Sequence, residues 1–444
     1  MNPFRKTSNS IRNLICGTPQ KPLVQIKKDI PLLTYFKRAY QDALSKHQLG
    51  DQPDDDSTEK LHVPITLIAY AKSGDVHTKV GIYEDEMHFS ASLLKAGVMY
   101  AAFKLLKEAE DLAESQPAAG FSNQNALFAA LQKQFKSSDA VPAITDVGAK
   151  AGLVPRYADI LKVAGFGTNK LVVSFAPEFY HSITEDRDLY KAYLKIRHDQ
   201  HLGKDANGNK IESPESTAAL ARVSHMYKMV VWSNNTSAGE CIRRLGYAYI
   251  NVKLMEKNLF DKEHSKGIWI GGDYVGVAPR IEVDSVNDAK VATATTTRHM
   301  AELFSLIKLD KVPHSDQMQF LIAEAQDSEP SFISRAPPRL FKVGGVKIGV
   351  ANIKPNTKPL GPDVNSEAII FSWNTDDALP GEKLPKDRNL SGIFTACWQN
   401  LRGDAVAANK AAHNVRNVDD GEFDGVAAVI ENTIKNFINQ TALP

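Results

Sequence analysis

Apolar residues along this chain change period several times, and each change marks an element. Leu32, Leu33, Phe36, Tyr40 and Leu44 recur at helical spacing and predict a helix over 30–49. An acidic, proline-containing loop follows at 50–60 (GDQPDDDSTEK). Two β-rich segments, 63–71 and 78–83, flank Ser73-Gly74-Asp75 and predict a hairpin. The run that opens at Ser92 is apolar on nearly every side, around Leu93, Leu94, Val98, Ala101, Ala102 and Leu105. A helix apolar all round is a buried one.

From Ser115 to Tyr227 the spacing is mostly helical, with segments at 125–135, 144–154, 157–164, 182–197 and 216–229 and a hydrophilic loop at 203–209. Residues 268–284 are irregular and glycine-rich. Residues 295–309 predict a helix capped by threonine. Strands are predicted over 340–351, 367–373 and 390–398, and a terminal amphipathic helix over 421–437. This order predicts an α+β fold, an antiparallel sheet flanked by N- and C-terminal helices, with an inserted helical domain. The expected division is a flexible arm over 1–29, a split α/β domain over 30–110 and 290–444, and a helical domain with extra inserted material over 111–289.

Composition narrows the classes of function. Lys plus Arg (53) balances Asp plus Glu (52) for a net charge of +1, which gives no electrostatic case for nucleic acid or an anionic membrane. No apolar run reaches the roughly 18 residues of a membrane-spanning helix. The N-terminus has basic residues but lacks an apolar core of roughly 7–15 residues, so no signal peptide is expected. The compartment stays open: cytoplasmic, or periplasmic or secreted for a trimmed chain. Cys16, Cys241 and Cys397 lie far apart without ligand spacing, so neither a zinc site nor a disulfide framework is expected. His299 and His314, as lone histidines, are expected at the surface.

Chemistry concentrates at Ser92-Leu93-Leu94-Lys95. A Ser and a Lys three residues apart share one helical face. A buried Lys that loses its proton can serve as the base for the hydroxyl. At a helix N-terminus the backbone N–H of Ser92 is also free to stabilise an oxyanion. The spacing recurs at Ser57–Lys60 and Ser305–Lys308, so context decides, and only Ser92 follows a hairpin and heads a buried helix. Ser233-Asn234-Asn235 comes next, ahead of a helical segment with Ser237-Ala238, Cys241-Ile242 and Leu245-Gly246. A Lys-x-Gly closes the series, either Lys342-Val343-Gly344 or Lys347-Ile348-Gly349. Lys347 is preferred, because it comes after an alternating segment and lies nearer the next strand.

Taken in order, these three motifs resemble those of the serine β-lactamase and penicillin-binding protein superfamily, class A β-lactamases in particular. The resemblance covers roughly 63–106, 227–309 and 340–437. It implies a serine hydrolase that forms an acyl-enzyme on a small-molecule or peptide substrate, an amide or ester, with no metal or organic cofactor. By that resemblance Ser92 is the nucleophile and Lys95 its base. Ser233 relays a proton, Asn235 orients, and Lys347 anchors substrate charge. Backbone N–H groups of Ser92 and Val350 form the oxyanion hole, with Gly345 in place of Val350 if Lys342 is the correct lysine.

The chain departs from class A at the deacylating Glu-x-x-x-Asn. The nearest match, Glu282 to Asn287, is one residue too long. Asn234 stands where class A enzymes commonly have Asp. Both departures point toward penicillin-binding behaviour. The alternatives are a glutaminase-like amidohydrolase and a non-catalytic member that keeps the fold for binding or assembly.

Overall fold

A computed structural model describes residues 25–28, 30–45, 63–71, 76–115, 120–136, 155–166, 171–181, 222–287, 290–328, 330–334, 341–352, 363–373, 390–402 and 421–439. The expected helices at 144–154 and 182–197, the loops at 50–60 and 203–209, and the turn at Ser73–Asp75 lie outside these residues.

The strands β1 (Gln25–Lys28), β2 (Ile65–Ala71), β3 (Val76–Ile82), β4 (Phe341–Asn352), β5 (Asp363–Trp373) and β6 (Leu390–Arg402) form one six-stranded sheet in the order β1-β3-β2-β6-β5-β4. All pairings are antiparallel except β1 with β3. Residues 25–28, expected within a flexible arm, are thus an edge strand. On β2, Ile65, Leu67 and Ala69 face one side while Ile68 and Tyr70 face the other, the period of a strand covered on both faces. The first side packs against helices α1 (Ile30–Ser45) and α9 (Gly421–Asn439), around Phe36, Phe394, Trp398 and Ile430.

The other side meets the helical part of the chain, whose centre is α2 (Lys95–Glu114). Met99, Tyr100, Phe103 and Leu105 are fully buried there, as the apolar pattern predicts. Helices α3 (Gln124–Lys136), α4 (His225–Val230), α5 (Asn235–Leu245) and α6 (Tyr247–Glu256) pack against α2. Helix α7 (Thr297–Lys308) lies on the sheet: Thr66 and Thr297 hydroxyls meet at 2.8 Å. Its cap is Thr296, whose hydroxyl accepts from His299 N–H. Helix α8 (Ser315–Ser328) packs on β4.

Three expectations need correcting. Residues 157–164 are not one helix. After a single turn, Tyr157–Ile160, the chain forms a strand, Leu161–Ala164, paired with Val172–Phe175. Leu161 and Val163 alternate with Lys162 and Ala164, and that period of two wins over helical spacing. In the described part of 216–229 the helix starts only at His225, because Ser224 caps it by accepting from Tyr227 N–H. His299 is buried, its ring nitrogen 2.6 Å from Thr296 Oγ1, whereas His314 is partly covered and 3.1 Å from Glu110.

Among the described residues no helix is long and apolar enough to cross a membrane, and no group of His, Cys, Asp and Glu could hold a metal ion.

Candidate active site

Ser92 is held in one tight 3-10 turn, Ala91–Leu94, and α2 starts at Lys95. The turn is braced from several sides. His88 exchanges backbone hydrogen bonds with Thr295 (2.9 and 3.0 Å). Asn287 clasps Phe89: its Oδ1 accepts from Phe89 N–H (2.8 Å) and its Nδ2 donates to Phe89 O (3.2 Å). Gln399, from β6, donates to Ser90 Oγ (2.7 Å) and to Thr295 O. These ties hold Ala91 at φ 44°, in the left-handed region that costs an alanine on the order of 1 kcal/mol. Strain of this kind persists where surrounding structure over-determines it.

Gly349 of β4 presses against the same turn. A Cβ at this position would lie 2.2 Å from Ser90 O and 2.8 Å from Leu93 N. The glycine of Lys-x-Gly is therefore needed for the strand to seat the turn that carries Ser92.

Five of the residues singled out from sequence converge here. Lys95 Nζ, fully buried, lies 2.8 Å from Ser92 Oγ, 2.7 Å from Asn235 Oδ1, 2.5 Å from Ser233 O and 3.5 Å from Ser233 Oγ. Lys347 Nζ donates to Ser233 Oγ at 2.9 Å. Ser233 thus bridges the two lysines from the turn between α4 and α5, with φ 54°. Asn234, not Ser233, caps α5 by accepting from Ser237 N–H at 2.8 Å, which leaves the serine hydroxyl to the site. Asn serves this cap as well as Asp would.

The Ser233 carbonyl and Asn235 Oδ1 only accept, so each takes an N–H from Lys95. Ser92 Oγ can take a further N–H from the amine or donate its own O–H to the amine's lone pair.

The opposite wall of the cleft is the segment after Ile270. Tyr274 places its ring 4.9 Å from Lys95 Nζ and donates its O–H to Ala91 O at 2.8 Å. Burial pushes the Tyr274 phenol up, so it stays protonated. The cleft has a volume of about 340 Å³ and is lined by Ser92, Asn235, Tyr274, Arg280, Phe89 and Val350 among others. Asp273 also borders it, with both oxygens engaged in hydrogen bonds. Its carboxylate accepts from Gly276 N–H (2.8 Å), Ala278 N–H (3.1 Å) and Arg243 Nη1 (2.7 Å). Burial works against its ionisation, yet these partners outweigh it and hold the carboxyl below its ordinary value.

Two other candidates stand apart. Lys342 is exposed, five residues before Lys347 on β4 and therefore about 16 Å along the strand. Glu282 pairs with Arg280 at 3.2 Å and borders a neighbouring pocket with Asp85 and Lys290, not the Ser92 cleft. Sequence reasoning missed Tyr274 and Asp273. Their only signal is the irregular, glycine-rich run around them.

No protein-family model matches the chain, and no curated protein does. Solved structures to which the chain is similar include β-lactamases. They include the TLA-3 extended-spectrum β-lactamase (10% identity, TM-score 0.41, covering 90% of this chain and 98% of that one). A representative class A β-lactamase from Bacteroides cellulosilyticus (10% identity, TM-score 0.42, 91% and 99%) and the β-lactamase from Francisella tularensis (11%, 0.39, 91% and 99%) are two more.

Proposed function

We propose that this protein is a serine hydrolase that forms an acyl-enzyme on Ser92 with an amide or ester substrate. The observation that carries this reading is the Lys95 amine, buried, 2.8 Å from Ser92 Oγ and bonded to two acceptor oxygens. Neutral Lys95 takes the Ser92 proton as Oγ attacks the carbonyl. Backbone N–H groups of Ser92 and Val350 receive the oxyanion. Ser233, hydrogen-bonded to Lys347 and near Lys95, passes the proton to the leaving group. Asn235 keeps the Lys95 lone pair aimed at Ser92. Lys347 and the rim residue Arg280 supply positive charge for a substrate carboxylate. Water then releases the acyl group. A β-lactam or a D-amino-acid peptide fits this reading, with deacylation slower than acylation because Asp273 is committed elsewhere.

The test is covalent labelling by a fluorescent penicillin and by a fluorophosphonate. Wild type should label at Ser92 and Ser92→Ala should not. Lys95→Ala should slow labelling near neutral pH by about a hundredfold or more, the usual scale for a lost general base. No label on wild type, or equal label on Ser92→Ala, overturns the assignment. Turnover of free glutamine would instead favour an amidohydrolase of the glutaminase kind.

A further inference from the structure

We infer that Tyr274 is a positioning residue of the Ser92–Lys95 pair, holding the nucleophile's turn through its hydroxyl and supporting the protonated lysine through its ring. The inference rests on the serine hydrolase reading above and adds a residue to it. Tyr274 touches both halves of the pair. Its O–H donates to Ala91 O at 2.8 Å, one residue before Ser92 and at the strained φ of 44°. Its ring lies 4.9 Å from Lys95 Nζ. An aromatic face attracts a cation and not a neutral amine, so the contact strengthens as Lys95 accepts the Ser92 proton. An interaction stronger in the transition state than in the ground state accelerates the step.

The side chain cannot drift from this position without disturbing its neighbours. Asp273 pins the loop through Gly276 N–H, Ala278 N–H and Arg243 of α5. Gly239, also on α5, makes room for it, since a Cβ there would lie 2.8 Å from Asp273 O and 2.9 Å from Val275 Cγ2. The helix that carries Asn235 thus also seats Tyr274, so these two partners of Lys95 share one support. Among the described residues, the charged groups near the site include Lys347 of β4, reached through Ser233, Arg280 on the cleft wall, and the Asp273–Arg243 pair behind Tyr274. Tyr274→Phe and Tyr274→Leu leave all of them in place.

Two readouts test the inference. The first is titration of Lys95 by NMR in protein carrying 13C-labelled lysine, with Lys95→Met assigning its signal. Relative to wild type, Tyr274→Leu should lower the Lys95 midpoint by about half to one pH unit, and Tyr274→Phe should leave it in place. The second is the rate of covalent labelling at Ser92. Tyr274→Phe, which keeps the ring but releases Ala91, should label about fivefold more slowly with an unchanged pH midpoint. Tyr274→Leu should be slower still. If Tyr274→Leu does not fold, Tyr274→Met serves as the ringless variant. Equal Lys95 midpoints in all variants, or wild-type labelling by Tyr274→Leu, overturns the inference. Absence of labelling in wild type overturns the hydrolase reading instead, and the titration still decides the role of the ring.

Discussion

Gly349→Ala replaces a hydrogen with one methyl group on β4, yet it should nearly silence Ser92. The added Cβ would stand 2.2 Å from Ser90 O, 2.8 Å from Leu93 N and 3.1 Å from Leu93 Cβ, where ordinary contact begins near 3.4 Å. Two of these atoms are backbone, so no rotamer change relieves the clash. The strand and the turn must separate by about 1 Å. The strand is held by its pairing with β5, where Gly349 stands opposite Ser366. The turn is held by Asn287, Gln399 and Thr295. Whichever yields, the distance from Ser92 to the β4 backbone at Val350 grows, and the Ser92–Lys95 contact is disturbed with it. A misplacement of about 1 Å at reacting groups can cost about a hundredfold in rate. The acylation rate measured by time-resolved labelling with a fluorescent penicillin should fall by that order, and overpacking should lower stability by about 1–3 kcal/mol. Gly344→Ala, on the same strand, is the control, because its Cβ would meet only Ile370 O, at 3.9 Å. Labelling by Gly349→Ala within a few-fold of wild type, with an unchanged melting temperature, would refute the seating of the turn on this glycine.

Lys347→Ala should slow labelling by roughly ten- to a hundredfold, as Ser233 loses the donor 2.9 Å away, while Lys342→Ala should label as wild type. Equal effects of the two changes would remove Lys347 from the site. His299 supplies a pH dependence of stability. Burial, more than neighbouring Arg298, pushes it down to about 3. An unfolded histidine takes a proton near pH 6.5. Between these values the unfolded chain binds more protons, so stability falls as pH falls from about 6.5 toward 3. At pH 5 the loss is about 2 kcal/mol. Melting curves from pH 7.5 to 4.5 should show this slope in wild type and a shallower one in His299→Gln. Identical slopes would count against a buried neutral imidazole.

The parts of the fold and site that were legible in the sequence are those set by local geometry. Ser92 and Lys95 are one turn apart because three residues make about one turn, wherever the turn sits. The apolar surround of α2 required burial, and α2 is buried. Strand parity was legible only in part. A bulge between Val343 and Gly345 shifts the register of β4, so Val343 and Val346 reach the same core and Lys347 faces the cleft. Pattern alone does not locate such a bulge, which is why Lys342 and Lys347 stood as rivals. Helix α8 lies outside the predicted elements, although Met318, Leu321, Ile322 and Ala325 carry helical spacing. The left-handed Ala91 and Ser233 were not legible at all. Partners distant in sequence hold them, Tyr274 at Ala91 O and Lys95 at Ser233 O, and neither residue type announces a positive φ.

The same distant control bears on the fate of the acyl-enzyme. A carboxylate that activates water must be basic and must have an oxygen to spare for that water. Asp273 is the one carboxylate among the described residues lining the Ser92 cleft; it is a weak base, and both of its oxygens already hold the loop. Gly276 N–H, Ala278 N–H and Arg243 occupy its oxygens, and its affinity for protons is below that of an ordinary aspartate. Freeing it would release the loop that carries Tyr274 and with it a partner of Lys95. Recruiting Asp273 as a hydrolytic base therefore conflicts with keeping Lys95 where the proposed acylation needs it. Under the proposed chemistry that conflict leaves Lys95 and Ser233 to handle protons in both half-reactions. The balance then favours an acyl-enzyme that forms readily and persists, and an incoming amine or hydroxyl bound in the cleft would compete with water for it.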